Sequence, residues 1–385
     1  MTVTSRLGDT ARTVLTPAAW LRLAIGWGAV LALALAGPLL EPPVPGPLLV
    51  GTLAVIVGVI LLCAFGVVGE AEHLARRLGD PYGSLVLTLS IVVIEVVLIS
   101  AVMLGPGDHA TIARDSVMAV SMIILCAVVG LSLLVGGMRH GDLEHNRTGT
   151  SSYLAVLVVL VALAFALPAA IGTDGSYTGG QAVVVVALTV VLYAFFLWRQ
   201  TGAQADDFRE VDPRVRQDSA DGDVGASLGE TFAAHRTEIL LRAGLLVVTV
   251  LPIVLLSHDM AALLDDGLGR LGAPAALSGL LIACIVFLPE SITSVRAALA
   301  GEVQRVSNLC HGALVSTVGL TIPAVLVIGA LTGQQVVLAE SPANLLLLGV
   351  ALVLSVATFA GRRVTAVHGA VHLTVFAVYV LALFA

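Results

Sequence analysis

Apolar blocks of about 20 residues, separated by short polar or Gly/Pro-rich links, run along the chain from end to end. A helix rising 1.5 Å per residue needs about 20 residues to cross a roughly 30 Å hydrocarbon core. Each block therefore predicts a spanning helix. The blocks are continuous rather than alternating ten-residue segments, which excludes a β-barrel. Backbone polar groups in lipid must be satisfied within the segment, and a helix does that. Eleven helices are read at 20–40, 47–69, 81–104, 114–138, 151–171, 180–198, 238–257, 273–298, 306–333, 342–360 and 364–384. Glu41-Pro42-Pro43, Gly105-Pro106-Gly107-Asp108 and Gly172-Thr173-Asp174-Gly175 supply turn chemistry between them. The predicted class is an all-α integral membrane protein.

The arginines test this count. With the N-terminus in the cytoplasm, Arg6, Arg12, Arg22, Arg76, Arg77, Arg139, Arg147, Arg199, Arg209, Arg214, Arg216, Arg236, Arg242, Arg296, Arg305, Arg362 and Arg363 fall inside, and only Arg114 and Arg270 fall outside. Basic residues accumulate on cytoplasmic loops, and a miscounted helix would scramble the alternation. The first segment also has the look of a secretory signal, with Ala34-Leu35-Ala36 resembling a peptidase site. Its removal would leave the other ten helices as they stand.

Composition agrees: 58% of residues are hydrophobic and 12% charged. All 19 basic residues are arginine. Without lysine the chain has neither a P-loop, whose Lys reaches the phosphates, nor a Schiff-base amine. Pumping by this chain alone would run on an ion gradient. Cys63, Cys126, Cys284 and Cys310 all lie in apolar segments without a C-x-x-C pair and read as small core residues. The net charge of −7 comes largely from one stretch, 201–236, rich in Asp206, Asp207, Glu210, Asp212, Asp218, Asp221, Asp223 and Glu230. It reads as a solvated acidic linker, or more sharply as a cation-attracting loop; it lacks EF-hand spacing.

That linker organises the chain into a leading segment, 1–46, a first five-helix repeat, 47–200, the acidic cytoplasmic loop, 201–236, and a second five-helix repeat, 237–385. Five is odd, so equivalent halves would insert in opposite directions, an arrangement that puts a transporter's site at the midplane between them. The sequence signs are short. The second helix of each half carries one acid, Glu95 or Glu290, and the third carries Val129-Gly130-Leu131-Ser132 or Val318-Gly319-Leu320-Thr321.

Glu95 is the only charge between Asp80 and Asp108, and no charge precedes Glu290 back to Arg270. Placing an acid at the centre of a spanning helix costs ~2.5–3.5 kcal/mol on insertion scales, and such residues mark ion or proton pathways by default. A carboxylate in low dielectric holds a proton or a cation. Two such groups hold a divalent ion when both are ionised and are neutral when both are protonated. That competition is what antiport requires. Ca²⁺ takes six to eight oxygens, so two glutamates need help. Pro289 can free a backbone carbonyl, and Thr88, Ser90, Ser291, Thr293 and Ser294 are nearby hydroxyls. The alternative for either glutamate is an interhelical hydrogen bond.

Lesser candidates are Asn308, a helix–helix hydrogen bonder or an auxiliary ligand, and His311, a core histidine or a proton relay. His368 and His372 share a helix face, with no acid to complete a metal site. Glu70, Glu72 and His73 form an interfacial turn or a cation-attracting vestibule. Two other function classes compete. A passive channel would line a pore with the same acids but move ions without proton coupling. A membrane-embedded hydrolase would need a nucleophile–base set or H-E-x-x-H, and neither occurs. No cofactor and no nucleic-acid partner is expected; the partners are inorganic cations, protons and the lipid bilayer.

Two stretches resemble a known family. One is Gly69-Glu70-Ala71-Glu72-His73-Leu74-Ala75, then Gly79-Asp80-Pro81-Tyr82-Gly83-Ser84-Leu85, running to Ile94-Glu95-Val96. The other is Leu288-Pro289-Glu290-Ser291-Ile292-Thr293, then Arg296-Ala297-Ala298, Gln304-Arg305, Asn308 and Ser316-Thr317-Val318-Gly319-Leu320-Thr321-Ile322-Pro323-Ala324. They resemble the two alpha-repeats of the ChaA-like bacterial calcium/proton antiporters, in the cation/Ca²⁺ exchanger superfamily, and the likeness runs from about residue 47 to Gly369-Ala370-Val371-His372-Leu373 and the end. The resemblance implies that Glu95 and Glu290 carry the exchanged cation and protons. The wider superfamily often shows Gly-Asn-x-x-Glu at each acid. Here Ile91-Val92-Val93-Ile94 and Val286-Phe287-Leu288-Pro289 precede them, so the amide ligand is missing. The implied ion is Ca²⁺, with Na⁺ and K⁺ exchange as alternatives.

Overall fold

The computed structural model describes residues 13–40, 43–78, 110–211, 228–273 and 275–384, together with Leu89, Val92, Val93, Glu95, Val96, Val97, Ile99, Ser100 and Met103. Ten helices carry it: α1 (Pro17–Ala36), α2 (Gly46–Leu78), α3 (Ile112–His140), α4 (Arg147–Ile171), α5 (Gly179–Thr201), α6 (Leu228–Arg270), α7 (Ala275–Ala300), α8 (Val303–Thr332), α9 (Pro342–Ala360) and α10 (Ala366–Ala382). Local chemistry sets their starts. Thr16 and Ser341 cap α1 and α9 with a proline at the first helical position, and Asn146 Oδ1 accepts from the Thr148 and Gly149 amides to start α4.

Eight of these helices are long and apolar enough to cross a membrane. The bent α7 adds a ninth, and α10, with 17 residues, is a shorter apolar helix. The chain is a multi-pass membrane protein. The predicted span 81–104 lies mostly outside the described residues, and those described around Glu95 are helical.

The largest departure from the predicted spans is α6, which runs to Arg270 rather than stopping at 257. His258 and Asp259 look like a loop by polarity. Met260-Ala261-Ala262-Leu263-Leu264 nonetheless resumes the helical period, with Ile253, Leu256, Met260 and Leu263 buried along one face. The predicted loop 201–236 also begins as packed structure. Phe208, at the end of a short 3₁₀ turn, is buried against Tyr153 and Phe196. Residues 212–227 of that stretch lie outside the described ones.

The helices group into two units, each drawing on both halves of the chain. The first contains α1, α2 and α6. Its α2–α6 pair is clasped at one end by Arg242, which meets Glu70 at 2.5 Å and Glu238 at 3.1 Å. At the other end Asp266 accepts from the Val44 amide and pairs with Arg270.

The second unit holds α3, α4, α5, most of α7, and α8 to α10. Its axis is α8, buried at almost every position from Val303 to Val318. Glycine permits the closest approaches. Gly130 on α3 lies against His372 and Leu373 of α10, and Gly319 on α8 lies against the Tyr193 ring of α5. The two Val-Gly-Leu steps thus each meet the last helix of the opposite predicted repeat. A two-stranded ribbon, β1 (Asp142–Glu144) with β2 (Arg363–Thr365), ties the α3–α4 and α9–α10 connections together.

Gly369→Val places a branched Cβ into the α3 backbone at Gly130 and Leu134. Overpacking of this kind costs ~1–3 kcal/mol. Thermal unfolding in detergent should drop accordingly, while Gly244→Ala, whose Cβ meets open space, should leave the midpoint unchanged.

Candidate carboxylate site

Both predicted acids lie in the second unit and both are buried, Glu95 at 4% and Glu290 at 7% exposure. They are within electrostatic range of one another. Glu95 Oε2 accepts from Thr317 Oγ1 at 2.6 Å. Glu95 Oε1 and Glu290 Oε1 are buried with no hydrogen-bond partner, and neither acid has an ion pair among the described residues. A buried ionised carboxylate ordinarily has both.

The local helix geometry follows from the sequence. α7 bends by 53° between Gly279–Ile285 and Phe287–Ala300. Pro289 has no amide hydrogen to give to the Ile285 carbonyl, one turn before it, so that carbonyl is released at the bend. The site thus combines a carboxylate with a freed main-chain oxygen near a helix break.

The hydroxyls divide into two groups. Ser291 and Thr293 donate back to the Phe287 and Pro289 carbonyls of their own helix, leaving only lone pairs. Ser294 accepts from Cys310 Sγ at 3.6 Å. Thr88 and Ser90 lie outside the described residues, as does the Glu72 side chain. By contrast, Thr317 touches Glu95 directly. Thr321, one turn further on the same face of α8, is fully buried with an unpartnered hydroxyl, and so is Ser132 on α3. Sequence reasoning noted Ser132 and Thr321 only as marks of a repeat and did not single out Thr317. The available signal was a run of hydroxyls at i and i+4 in an otherwise apolar helix.

The remaining candidates have other occupations. Glu70 is held by Arg242 in the first unit, so its charge is already matched. Asn308 is a clasp: its Nδ2 donates to the Phe208 carbonyl at 2.6 Å and its Oδ1 accepts from Gln304 Nε2 at 3.0 Å. His311 Nδ1 meets Ser307 Oγ at 3.0 Å, and Ser307 meets Thr150. His372 reaches the Leu125 carbonyl, inside a π-helical turn of α3 that opens the regular ladder. His368 caps α10 through Thr365. The two histidines, one turn apart near the start of α10, therefore have different partners, and no group of three His, Cys, Asp or Glu side chains among the described residues could hold a metal.

Outside the spans, Glu340 precedes α9. Burial pushes its carboxyl above the ordinary range, against the pull of Asn344, Ser341 and Arg114. Arg114 lies 3.9 Å away.

Asn308→Ala would strand the Phe208 carbonyl and the Gln304 amide, a loss of ~1–3 kcal/mol. Thermal stability without added cation should fall. Were Asn308 solely a cation ligand, cation-free stability would stay as it is.

The sodium/calcium exchanger protein family matches residues 48–202 and 241–385, passing over the acidic stretch and covering both carboxylate-bearing segments. The sodium-potassium/proton antiporter ChaA of Escherichia coli (strain K12) is 33% identical over 326 residues, covering 85% of this chain and 87% of that protein. The y4hA protein of Sinorhizobium fredii (strain NBRC 101917 / NGR234), described as an ionic transporter, is 35% identical over 210 residues; the match covers 54% of each, so the chain spans about half the length of that relative. The solved structure of the Ca²⁺/H⁺ antiporter protein YfkE aligns with a TM-score of 0.66 at 16% identity, over 94% of this chain and 99% of that one, and bears on the fold. On these matches the chain belongs to the sodium/calcium exchanger protein family.

Proposed function

We propose that the protein is a secondary active antiporter of the cell (inner) membrane that exchanges a cation for protons at Glu95 and Glu290. One observation carries the reading. Two buried carboxylates lie within electrostatic range of each other, each with an unpartnered oxygen and no basic partner among the described residues. Such a pair must be neutralised by something that comes and goes. Two protons or one divalent cation do this equally well.

Ca²⁺ is the leading substrate. Its preferred six to eight oxygens can be drawn from the two carboxylates, the hydroxyls of Thr317 and Thr321, the freed Ile285 carbonyl and water. The name of the Escherichia coli relative favours a second reading, Na⁺/H⁺ or K⁺/H⁺ exchange, and the absence of an amide three residues before each acid leaves room for it. In either case a cation entering from the cytoplasm displaces protons, the site then opens to the other side by movement of the helix bundles, and protons driven inward reload the acids. The orientation with the N-terminus in the cytoplasm rests on the arginine distribution, and the division into inverted repeats on the paired acids and paired Val-Gly-Leu steps.

Everted vesicles carrying a preformed pH gradient and a pH-sensitive dye test this. CaCl₂ should discharge the gradient in the wild type. Glu95→Gln and Glu290→Gln should each reduce the rate by at least ~100-fold, since each removes a charge the cation requires. Discharge by NaCl or KCl alone would retain the mechanism and change the ion. Full activity in either variant would contradict it.

Thr317→Val removes one hydrogen bond to a charged group, worth ~1.5–3 kcal/mol. The apparent cation affinity in the same assay should weaken about tenfold or more, and Thr317→Ser should restore it.

A further inference from the structure

We propose that Asp259 is a second proton- or cation-holding carboxylate of the membrane belt, carried by α6 and separate from the Glu95–Glu290 pair. Its role in exchange rests on the antiport reading.

Asp259 is inside a helix that continues 11 residues beyond it. Two charged clasps mark the ends of the apolar belt in the first unit: Glu70, Glu238 and Arg242 at one end, Val44, Asp266 and Arg270 at the other. Arg242 and Asp266 are 24 residues apart, ~36 Å along a helix at 1.5 Å per residue, close to the hydrocarbon thickness plus its interfaces. Asp259 lies seven residues inside the second clasp, ~10 Å by the same rise. Its short side chain does not reach across that distance, as a long basic chain would.

Its position on the helix matters as much as its depth. Leu256 and Leu263, three residues before and four after, are buried at 0% and 4%. Asp259 therefore flanks the inward face and is itself half-buried. It makes no hydrogen bond and no ion pair among the described residues. On its own helix the neighbouring charges are the adjacent His258, exposed but within electrostatic range and the one basic group acting on it, Asp265, also exposed, and Asp266, already held by Arg270. The facing α2 has no charged residue from Leu49 to Gly69. α1, which touches α6 at Val248 and Pro252, has none after Arg22. The packing that matches Glu70 with an arginine leaves Asp259 without one.

An acid so placed needs a proton or a small hard cation to neutralise it. That makes Asp259 a station near the belt end opposite Arg242, where a proton and a cation can replace one another.

Two readouts on the full-length protein test this. Dicyclohexylcarbodiimide modifies protonated carboxyls in apolar surroundings, and peptide mass spectrometry locates the adduct. Asp259 should be modified at acidic pH, and CaCl₂ or NaCl should suppress its labelling at least fivefold. In the vesicle assay, Asp259→Asn should raise the cation KM at least fivefold with the maximal rate within twofold of wild type, and Asp259→Glu should recover the wild-type KM. Asp259 unmodified at every pH, or labelled without cation protection, would overturn the proposal, as would an Asn variant with wild-type KM. If the Asn variant does not fold, labelling of the wild type decides. If the wild type moves no protons in response to any cation, the antiport reading fails while labelling still reports on Asp259.

Discussion

A carboxylate surrounded by low dielectric and lacking a basic neighbour cannot stay ionised by itself, and the second unit is organised around two of them. Glu95 and Glu290 are buried within electrostatic range of each other. One oxygen of each has no partner. The elements around them supply oxygens rather than cations: the Thr317 hydroxyl, the bend of α7 with its released Ile285 carbonyl, and the buried polar face of α8. Removing water without adding a counter-charge leaves the pair responsive to whatever small cation, H⁺ included, can reach it. The close glycine contacts at Gly130 and Gly319 keep the two hydroxyl-bearing helices, α3 and α8, against α10 and α5.

The contrast with Glu70 separates an acid matched within the fold from one left for the proposed exchange. By sequence, Glu70 and Glu95 are both acids near or within an apolar run. Glu70 is matched by Arg242, 172 residues away in the chain, and that clasp holds α2 to α6. Breaking a buried pair by removing one partner is strongly destabilising, which gives it a role in the fold. Among the described residues, Glu95 receives one hydroxyl and no basic partner. In α6, Asp259 has no arginine partner among the described residues and only the exposed His258 beside it, whereas Asp266 is paired with Arg270.

Much of this was legible in the sequence because the membrane imposes simple rules. Block length gives helices; arginine asymmetry and isolated acids in apolar runs give the orientation and the site proposed above. The limits are equally physical. Hydropathy ended α6 at 257 because two polar residues interrupt it, whereas helix continuation depends on the spacing of Leu256, Met260 and Leu263. Asn308 is polar, buried and near the site in sequence, yet it faces Phe208 and Gln304; no one-dimensional pattern reports which face a neighbouring helix will cover. Thr317 was not singled out for the converse reason, since a hydroxyl in a spanning helix usually bonds to its own backbone, as Ser291 and Thr293 do. Only the approach of the helix bearing Glu95 gives Thr317 its partner.

The central claim is that cation and protons compete for one pair of carboxylates. Calorimetric titration of the purified protein with CaCl₂ and with NaCl, in buffers of different ionisation enthalpy, counts protons released per cation bound. Competition predicts release that rises toward two protons per Ca²⁺ as pH falls below the range in which both acids are ionised, and that disappears in the Glu95→Gln, Glu290→Gln double variant. Tight cation binding with no proton release at any pH, or release that persists in the double variant, would contradict it.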